Sequence, residues 1–308
     1  MLEKTIQQNW QADTKYQEVF NALQQGQNPM VSGLADSAKA AWVAAEFLKS
    51  PLWQQNLSAC LPEEKVLFFP RLALMPFEIY AYNPELSSRR IAALSSLARG
   101  EKVIVVAWAG ASTRALVPKH IFAEGHVYLK VGVDFELDEL ASKLAIMGYS
   151  REKMVDTPGT FSVRGGIVDI FPLTVKMPVR LEFFDTEIES MRYFDAASQR
   201  SQGVVKNGIW LAPARELVLN SDILQQGIPR LTTAYNKALN ALKGMPRRNL
   251  REKFSPLLEQ MGECQWVNGM EQFFSLLYPK KAHLCDYLPE GGLVVIDEPE
   301  ASATVLQN

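Results

Sequence analysis

The stretch Asp156–Asp195 reads DTPGTFSVRGGIVDIFPLTVKMPVRLEFFDTEIESMRYFD. Its short runs of β-branched and aromatic residues are separated by turns that contain proline or glycine. Such runs are typical of strands, and such turns join neighbouring strands. The stretch therefore predicts an antiparallel sheet, and the rest of the chain can be placed around it.

The strand that begins at Arg180 carries an arginine and an aromatic ring on the same side. In an extended strand, Arg180, Glu182 and Phe184 share one face. The opposite face carries Leu181, Phe183 and Asp185. The two apolar residues, Leu181 and Phe183, can fill a core. An aromatic beside an arginine on a solvent face is the composition of a protein-binding hot spot. The alternative is that Phe184 covers a neighbouring helix or loop, since single exposed apolar residues are common.

The composition of the chain is that of an ordinary globular protein, with 308 residues, 47% hydrophobic and 21% charged. This length suffices for roughly one large domain or two to three small ones. A net charge of −2 provides no global basic field for nucleic acid, so any DNA contact would need a local patch. The strongest basic cluster is more typical of a solvated helix or loop: Arg247, Arg248, Arg251 and Lys253, with Glu252 beside them.

The cysteines and the amino-terminal residues indicate a cytoplasmic location. Cys60, Cys264 and Cys285 lie far apart without CxxC spacing, which predicts reduced thiols and neither a disulfide framework nor a zinc site. Residues 1–11 are polar and show no secretory signal. No apolar run approaches the roughly 18–20 residues that span a bilayer, so we expect no membrane partner.

Helices and strands alternate on either side of the opening stretch. We predict helices at 1–28, 38–49, 84–99, 112–116, 138–147 and 223–242, and buried strands at 65–69, 102–107 and 291–300. This alternation predicts an α/β fold with a parallel sheet. The predicted organisation is a first part of the α/β domain at 1–125, an inserted β-rich domain at 126–212 and a helical return with the last strand at 213–308. Because the sequence stops just after a core strand, we expect a longer parent protein.

Two segments match a nucleotide-binding site in part. Gly33 and Lys39 fit the phosphate-binding loop GxxxxGK[ST] that precedes a helix. Ala38 replaces the second glycine, and Ala40 replaces the hydroxyl that would bind Mg²⁺. A chance match is the alternative, because two of the four key positions, Ala38 and Ala40, do not match the motif.

The second segment is the apolar run LVVI, which ends in Asp297 and Glu298. Helicase-type ATPases place an Mg²⁺-coordinating aspartate and a water-activating glutamate at such a strand end, although solvated acids at a strand end are the alternative. Both segments in the right order favour an ATPase-like ancestry. Without the second glycine and a Ser or Thr, phosphates and metal are poorly held, so we predict an inactive site with no cofactor, no metal and no catalytic residues.

Several segments together resemble the UvrB-like module of the bacterial transcription-repair coupling factors (Mfd). They are GTFSVRGGIVDIFP, PVRLEFFDTEIESMRYFD, VSGLADSAKA, PELSSRRIAAL, DELASKLAIMGYSREKMV and GMEQFFSLLYPKKAHLCDYLPEGGLVVIDE. The UvrB family shares the β-rich block, but it has an intact phosphate loop and a long tyrosine-rich hairpin that clamps DNA. The segment between Phe69 and Arg90 is too short for that hairpin, so the chain resembles the amino-terminal region of Mfd.

The resemblance implies a degenerate RecA/helicase-like parallel-sheet domain with an inserted β-rich (α+β) UvrA-binding domain. It implies a non-catalytic adaptor that recruits UvrA, the damage-recognition ATPase of nucleotide excision repair, to stalled transcription. The residues of the family that contact UvrA correspond to Arg164, Arg180 and Phe184, and Glu187 and Arg192 can extend the patch. Arg164 precedes two glycines, where a bend or bulge can aim it outward.

For the parent protein, the resemblance implies ATP and Mg²⁺, an ATP-driven DNA translocase, and contacts with RNA polymerase and double-stranded DNA. None of the corresponding motifs occurs in these 308 residues. The alternatives are an ATP-binding helicase domain that uses Lys39, Asp297 and Glu298, or a UvrB-type domain that binds damaged DNA. One departure is that members of the family have a further strand and helix where only residues 50–64 stand here.

Overall fold

The computed structural model describes residues 41–45, 50–71, 84–112, 114–262, 266, 270–290 and 292–296, and it shows a mixed α/β arrangement. The strands are β1 (Ala41–Ala45), β2 (Val66–Phe69), β3 (Ile104–Trp108), β4 (Val127–Leu129), β5 (Ser150–Arg151), β6 (Thr160–Arg164), β7 (Ile167–Ile170), β8 (Val179–Phe184), β9 (Glu187–Phe194), β10 (Ser201–Val204), β11 (Ile209–Leu211) and β12 (Leu293–Ile296). The helices are α1 (Ser50–Cys60), α2 (Pro84–Ala98), α3 (Ala109–Ser112), α4 (Lys119–Glu124), α5 (Leu137–Ile146), α6 (Ser221–Ala241), α7 (Gly244–Gly262) and α8 (Phe274–Leu277). Two 3₁₀ helices add Met270–Phe273 and Leu284–Tyr287.

The chain divides into two compact units. The first unit consists of Met1–Arg71, Arg99–Arg114 and Leu284–Asn308, and the second of Leu72–Ala98 and Ala115–His283. The division at 1–125, 126–212 and 213–308 stays a prediction.

The first unit is built on a parallel sheet of four strands in the order β12-β1-β3-β2. Strand β3 is central and buried, as expected for an apolar run in a parallel sheet. On one side, Ile104 and Val106 pack against Trp53 and Leu57 of α1. The strands predicted at 65–69, 102–107 and 291–300 are present as β2, β3 and β12, and β3 ends one residue later than predicted, at Trp108. The prediction that the last of them is buried is wrong, because Val294 and Ile296 are 43% and 51% exposed.

Two helix predictions in this part of the chain are wrong. Residues 41–45 form strand β1, not part of a helix at 38–49. The alanine-rich segment has helical propensity, but β1 pairs with β3 on one side and β12 on the other, and this pairing outweighs a weak local preference. The short helix is Ala109–Ser112, not 112–116, because Leu116 forms an antiparallel bridge with Ala282. The connection at 50–64 holds helix α1.

The second unit is built on a sheet of six strands in the order β10-β9-β8-β7-β6-β5. All neighbours are antiparallel except β5 and β6, so the antiparallel sheet predicted for 156–195 is confirmed. Its core face carries six buried side chains at two adjacent levels: Phe161, Ile170, Val179, Val168, Leu181 and Met191.

The core face departs from prediction at the end of β8. Phe183 is only half-buried, and Asp185 lies beyond the strand in a turn, with a φ of 56°. The pairing of β8 with β9 shifts by one residue between Glu182 and Phe183, so β9 carries a bulge. A bulge increases the local twist and bends the strand.

Helices complete the second unit. Helix α2 is held by the buried Arg90, whose guanidinium donates to both carboxylate oxygens of Glu216, at 2.5 and 2.8 Å. Helix α6 begins after Asn220, whose side chain accepts a hydrogen bond from the backbone N–H of Ile223 at 2.8 Å. The helices predicted at 84–99, 138–147 and 223–242 are confirmed within two residues at each end.

Candidate functional site

A polar row crosses the second face of the six-stranded sheet. Ser162 of β6 lies opposite Asp169 of β7, which lies opposite Arg180 of β8, and Arg180 lies opposite Arg192 of β9. Directly opposed residues of antiparallel strands point to the same face. Four neighbouring strands therefore place these polar side chains side by side.

A second and a third level follow toward the ends of the hairpins. Arg164 lies opposite Ile167, which lies opposite Glu182, and Phe184 lies opposite Glu187 at the third level. We name the polar and aromatic side chains of this surface the arginine face; they are Arg164, Asp169, Arg180, Glu182, Phe184, Glu187 and Arg192.

Asp169 is the centre of the arginine face and has no exposed surface. Arg180 donates from Nε to Oδ1 at 2.7 Å and from Nη2 to Oδ2 at 2.9 Å, in the paired geometry of an arginine and a carboxylate. Arg164 donates from Nη2 to the same Oδ2 at 2.5 Å. One buried carboxylate thus binds two arginines that start on different strands.

Arg180 is held from two sides. Its hydrogen bond to Asp169 is the main cause that raises the pKa of the guanidinium, which therefore stays charged. Its Cζ atom lies 4.8 Å from the ring centroid of the buried Phe194, within the range of a cation–π contact. Phe194 belongs to a small apolar cluster with Val155 and Phe171. This cluster gives the arginine a rigid base, and 18% of the Arg180 side chain remains exposed.

Arg164 ends strand β6 at a tight hairpin turn. Gly165 and Gly166 join it to Ile167, and Gly165 has a φ of 59°, a left-handed conformation that glycine adopts without strain. The predicted bend is therefore a two-residue turn and not a bulge. It leaves the Arg164 side chain 49% exposed while one end of it reaches Asp169.

Phe184 is 74% exposed, the largest fraction among the large hydrophobic side chains of the described residues. It ends β8, directly before the turn at Asp185 and Thr186. Glu187, which opens β9 opposite it, is also exposed. The hypothesis that Phe184 covers a neighbouring helix or loop does not agree with this exposure.

Arg192 lies at the edge of the arginine face. Its Nη2 is 3.6 Å from the Oε2 of Glu182, and the Ser190 hydroxyl donates to the same oxygen at 2.5 Å. The Arg192 side chain is 46% exposed, so this ion pair is largely solvated and adds little stability.

The structure places all five predicted contact residues on one face: Arg164, Arg180, Phe184, Glu187 and Arg192. Sequence reasoning missed Asp169. A signal was present in the run IVDIF, where an aspartate interrupts an apolar strand, although aspartate is depleted in strands. An internal strand carboxylate needs a partner, and the arginine-led strand β8 follows next.

The residues of the predicted inactive nucleotide site are not placed. Gly33, Lys39, Asp297 and Glu298 all lie outside the described residues. Among the residues that the structure does describe, no cluster of His, Cys, Asp and Glu could hold a metal ion, and no helix is long and apolar enough to cross a membrane.

Comparison with known proteins gives a match to a family model and matches to several whole proteins. Residues 127–217, which include the whole arginine face, match the family model of the UvrB interaction domain. The chain is also 33% identical over 299 residues to the transcription-repair-coupling factor of Bacillus subtilis (strain 168), covering 92% of this chain and 25% of that protein. Proteins of the same description in Staphylococcus epidermidis and Staphylococcus haemolyticus are each 30% identical, over 93% and 94% of this chain and 25% and 26% of their own lengths. The chain thus spans about a quarter of the length of these relatives.

Proposed function

We propose that this chain, as a UvrB-like module of the transcription-repair-coupling factor family, is a non-catalytic adaptor and binds UvrA. Binding would link stalled transcription to nucleotide excision repair of damaged DNA. The observation that carries this proposal is the highly exposed Phe184 beside Arg180 and Arg164 on one sheet face of the UvrB interaction domain.

The chemistry of the arginine face supports a protein partner. The large apolar side chain of Phe184 is removed from water only when a partner covers it, so its burial can contribute to the free energy of binding. The planar guanidinium groups of Arg164 and Arg180 suit carboxylates or carbonyl groups, because they offer paired hydrogen bonds in a fixed geometry. Arginine and aromatic residues are enriched among the residues that dominate binding energy.

A calorimetric titration of UvrA with the Phe184→Ala variant tests the proposal. We expect the substitution to weaken binding by about 1–4 kcal/mol, the range of hot-spot residues. The fold should be retained, because the side chain is 74% exposed. Met245→Ala is the matched control, since Met245 is 64% exposed on α7, outside residues 127–217. Equal affinity of wild type and Phe184→Ala for UvrA would contradict the proposal.

For the first unit, we propose a degenerate helicase-like domain without ATPase activity. Its all-parallel sheet suits such a domain. Ala38 and Ala40 remove the second glycine and the Mg²⁺-binding hydroxyl of the phosphate loop. We expect equilibrium dialysis to detect no binding of Mg·ATP at concentrations up to about 1 mM, the upper end of usual enzyme substrate affinities. Saturable binding at micromolar ATP would contradict this and favour an ATP-binding helicase domain.

The remaining activities are proposed for the parent protein. The chain corresponds to about a quarter of its relatives, so an ATP-driven motor with Mg²⁺, and contacts with RNA polymerase and double-stranded DNA, would lie in the other three quarters.

A further inference from the structure

A buried carboxylate lies beneath the two arginines of the proposed docking site. Asp169 is 0% exposed, so its own atoms are out of reach of a partner protein. Yet both of its oxygens accept hydrogen bonds from Arg164 and Arg180. An influence of Asp169 on binding is therefore indirect, through the arginines or through the fold.

Stability alone gives little reason for this arrangement. A buried ion pair loses much hydration free energy, and apolar residues of similar volume often serve the fold equally well. The core of the sheet lies on its other face, where Val168 and Leu181 flank Asp169 and Arg180 in sequence. An apolar residue at position 169 could not orient a guanidinium group.

Orientation has a direct value for binding. Arginine is a flexible side chain, and ordering it on association lowers the affinity of a complex. The paired bonds to Asp169, together with the ring of Phe194 at 4.8 Å, already fix the plane of the Arg180 guanidinium in the unbound chain. The same carboxylate holds one end of Arg164, whose side chain is otherwise 49% exposed.

We propose that Asp169 is a positioning residue of the docking site, which orders Arg164 and Arg180 before the partner arrives. This inference rests on the proposed function, because it takes UvrA as the partner. The group that the ordered arginines recognise on the partner would be a carboxylate or a carbonyl-rich edge, since the Asp169 cluster carries two cations and one anion.

The test is a double-mutant cycle with UvrA binding as its readout. The neutral variant Asp169→Asn keeps the size of the side chain, and we expect it to weaken binding by roughly tenfold or more. In an Arg164→Ala/Arg180→Ala background, the same substitution should cause no further loss, because the side chains that it acts through are gone. Asp156→Asn, an exposed aspartate of the same β-rich block, is the control and should bind as the wild type does.

Two results would overturn the inference. One is that Asp169→Asn binds UvrA with wild-type affinity. The other is that Asp169→Asn weakens UvrA binding by the same factor with and without the two arginines, which would mean that Asp169 acts only on the stability of the fold. Failure of the proposed function looks different, because the wild type then fails to bind UvrA or the double arginine variant binds as tightly as the wild type.

Thermal unfolding gives an independent check. Asp169→Asn should lower the unfolding midpoint of the wild type, where it leaves two arginines without their anion. In the Arg164→Ala/Arg180→Ala background it should raise the midpoint, because it removes a buried charge that has lost both partners. The same direction of change in both backgrounds would contradict the coupling between Asp169 and the arginines.

Discussion

Arg89 and Arg90 are neighbours in sequence with opposite environments. The Arg90 side chain is 0% exposed and donates two hydrogen bonds to Glu216, which is itself 19% exposed. The Arg89 side chain is 47% exposed and pairs with Glu85 at 2.7 Å, one helical turn away. Substituting each of these two arginines in turn therefore separates the contribution of burial to stability from the contribution of charge.

We predict that Arg90→Ala lowers the free energy of unfolding by about 3–5 kcal/mol, because it removes the paired hydrogen bonds between a buried guanidinium and a largely buried carboxylate. Arg89→Ala should cost no more than about 0.5 kcal/mol, as exposed helix pairs do. Urea unfolding followed by circular dichroism measures both values. Similar losses for the two variants would contradict the assignment of the Arg90–Glu216 pair to the interior.

The residues of the docking site differ in how far the sequence could predict them. Strand alternation alone put Arg180 and Phe184 on one face, because the period of a strand is two. The resemblance to a family added Arg164. The run IVDIF marks Asp169 as an aspartate inside an apolar strand, but its contacts with Arg180 follow from the register of β7 against β8, which no local pattern states.

At the level of elements, the arginine face depends on two tight hairpins. Gly165 begins the turn after Arg164 with a φ of 59°, and an added Cβ there would meet no atom within 4 Å. A substitution would thus act through backbone strain alone. Gly203 in the edge strand β10 is equally open, but it lacks the positive φ.

Gly165→Ala should therefore lower the free energy of unfolding by about 1–2 kcal/mol, the cost of a left-handed conformation for a residue with a Cβ atom. Gly203→Ala should change the free energy of unfolding by less than about 0.5 kcal/mol in either direction. No backbone strain arises at this position, so only the small effect of a lower conformational entropy in the unfolded chain remains. Chemical denaturation of both variants tests the contrast. Equal effects would show that the turn does not need glycine.

Elements were predictable where the local pattern and the tertiary environment agree. The block 156–195 has turn residues between strand-forming runs, and its antiparallel strands were predicted correctly. The segment 41–45 has the alanine content of a helix, yet it pairs as a parallel strand between β3 and β12. Parallel pairing joins residues far apart in sequence, so propensity within a short window could not reveal it.

At the level of the whole molecule, sequence order does not decide which unit an element joins. Helix α2 lies between β2 and β3 along the chain, yet it belongs to the second unit while both strands belong to the first. The α/β class followed from the alternation of patterns. Membership of a unit depends on which apolar faces meet, and that becomes visible only in three dimensions.

The dissociation constant of the UvrA complex, compared between wild type and Arg180→Ala, tests the docking role most directly. We expect Arg180→Ala to weaken binding by about 1–4 kcal/mol. Arg151→Ala serves as control, because Arg151 of β5 pairs with Phe161 of the core face and lies outside the arginine face. It should bind UvrA as the wild type does. A folded Arg180→Ala variant that binds UvrA as tightly as the wild type would contradict docking through the arginine face.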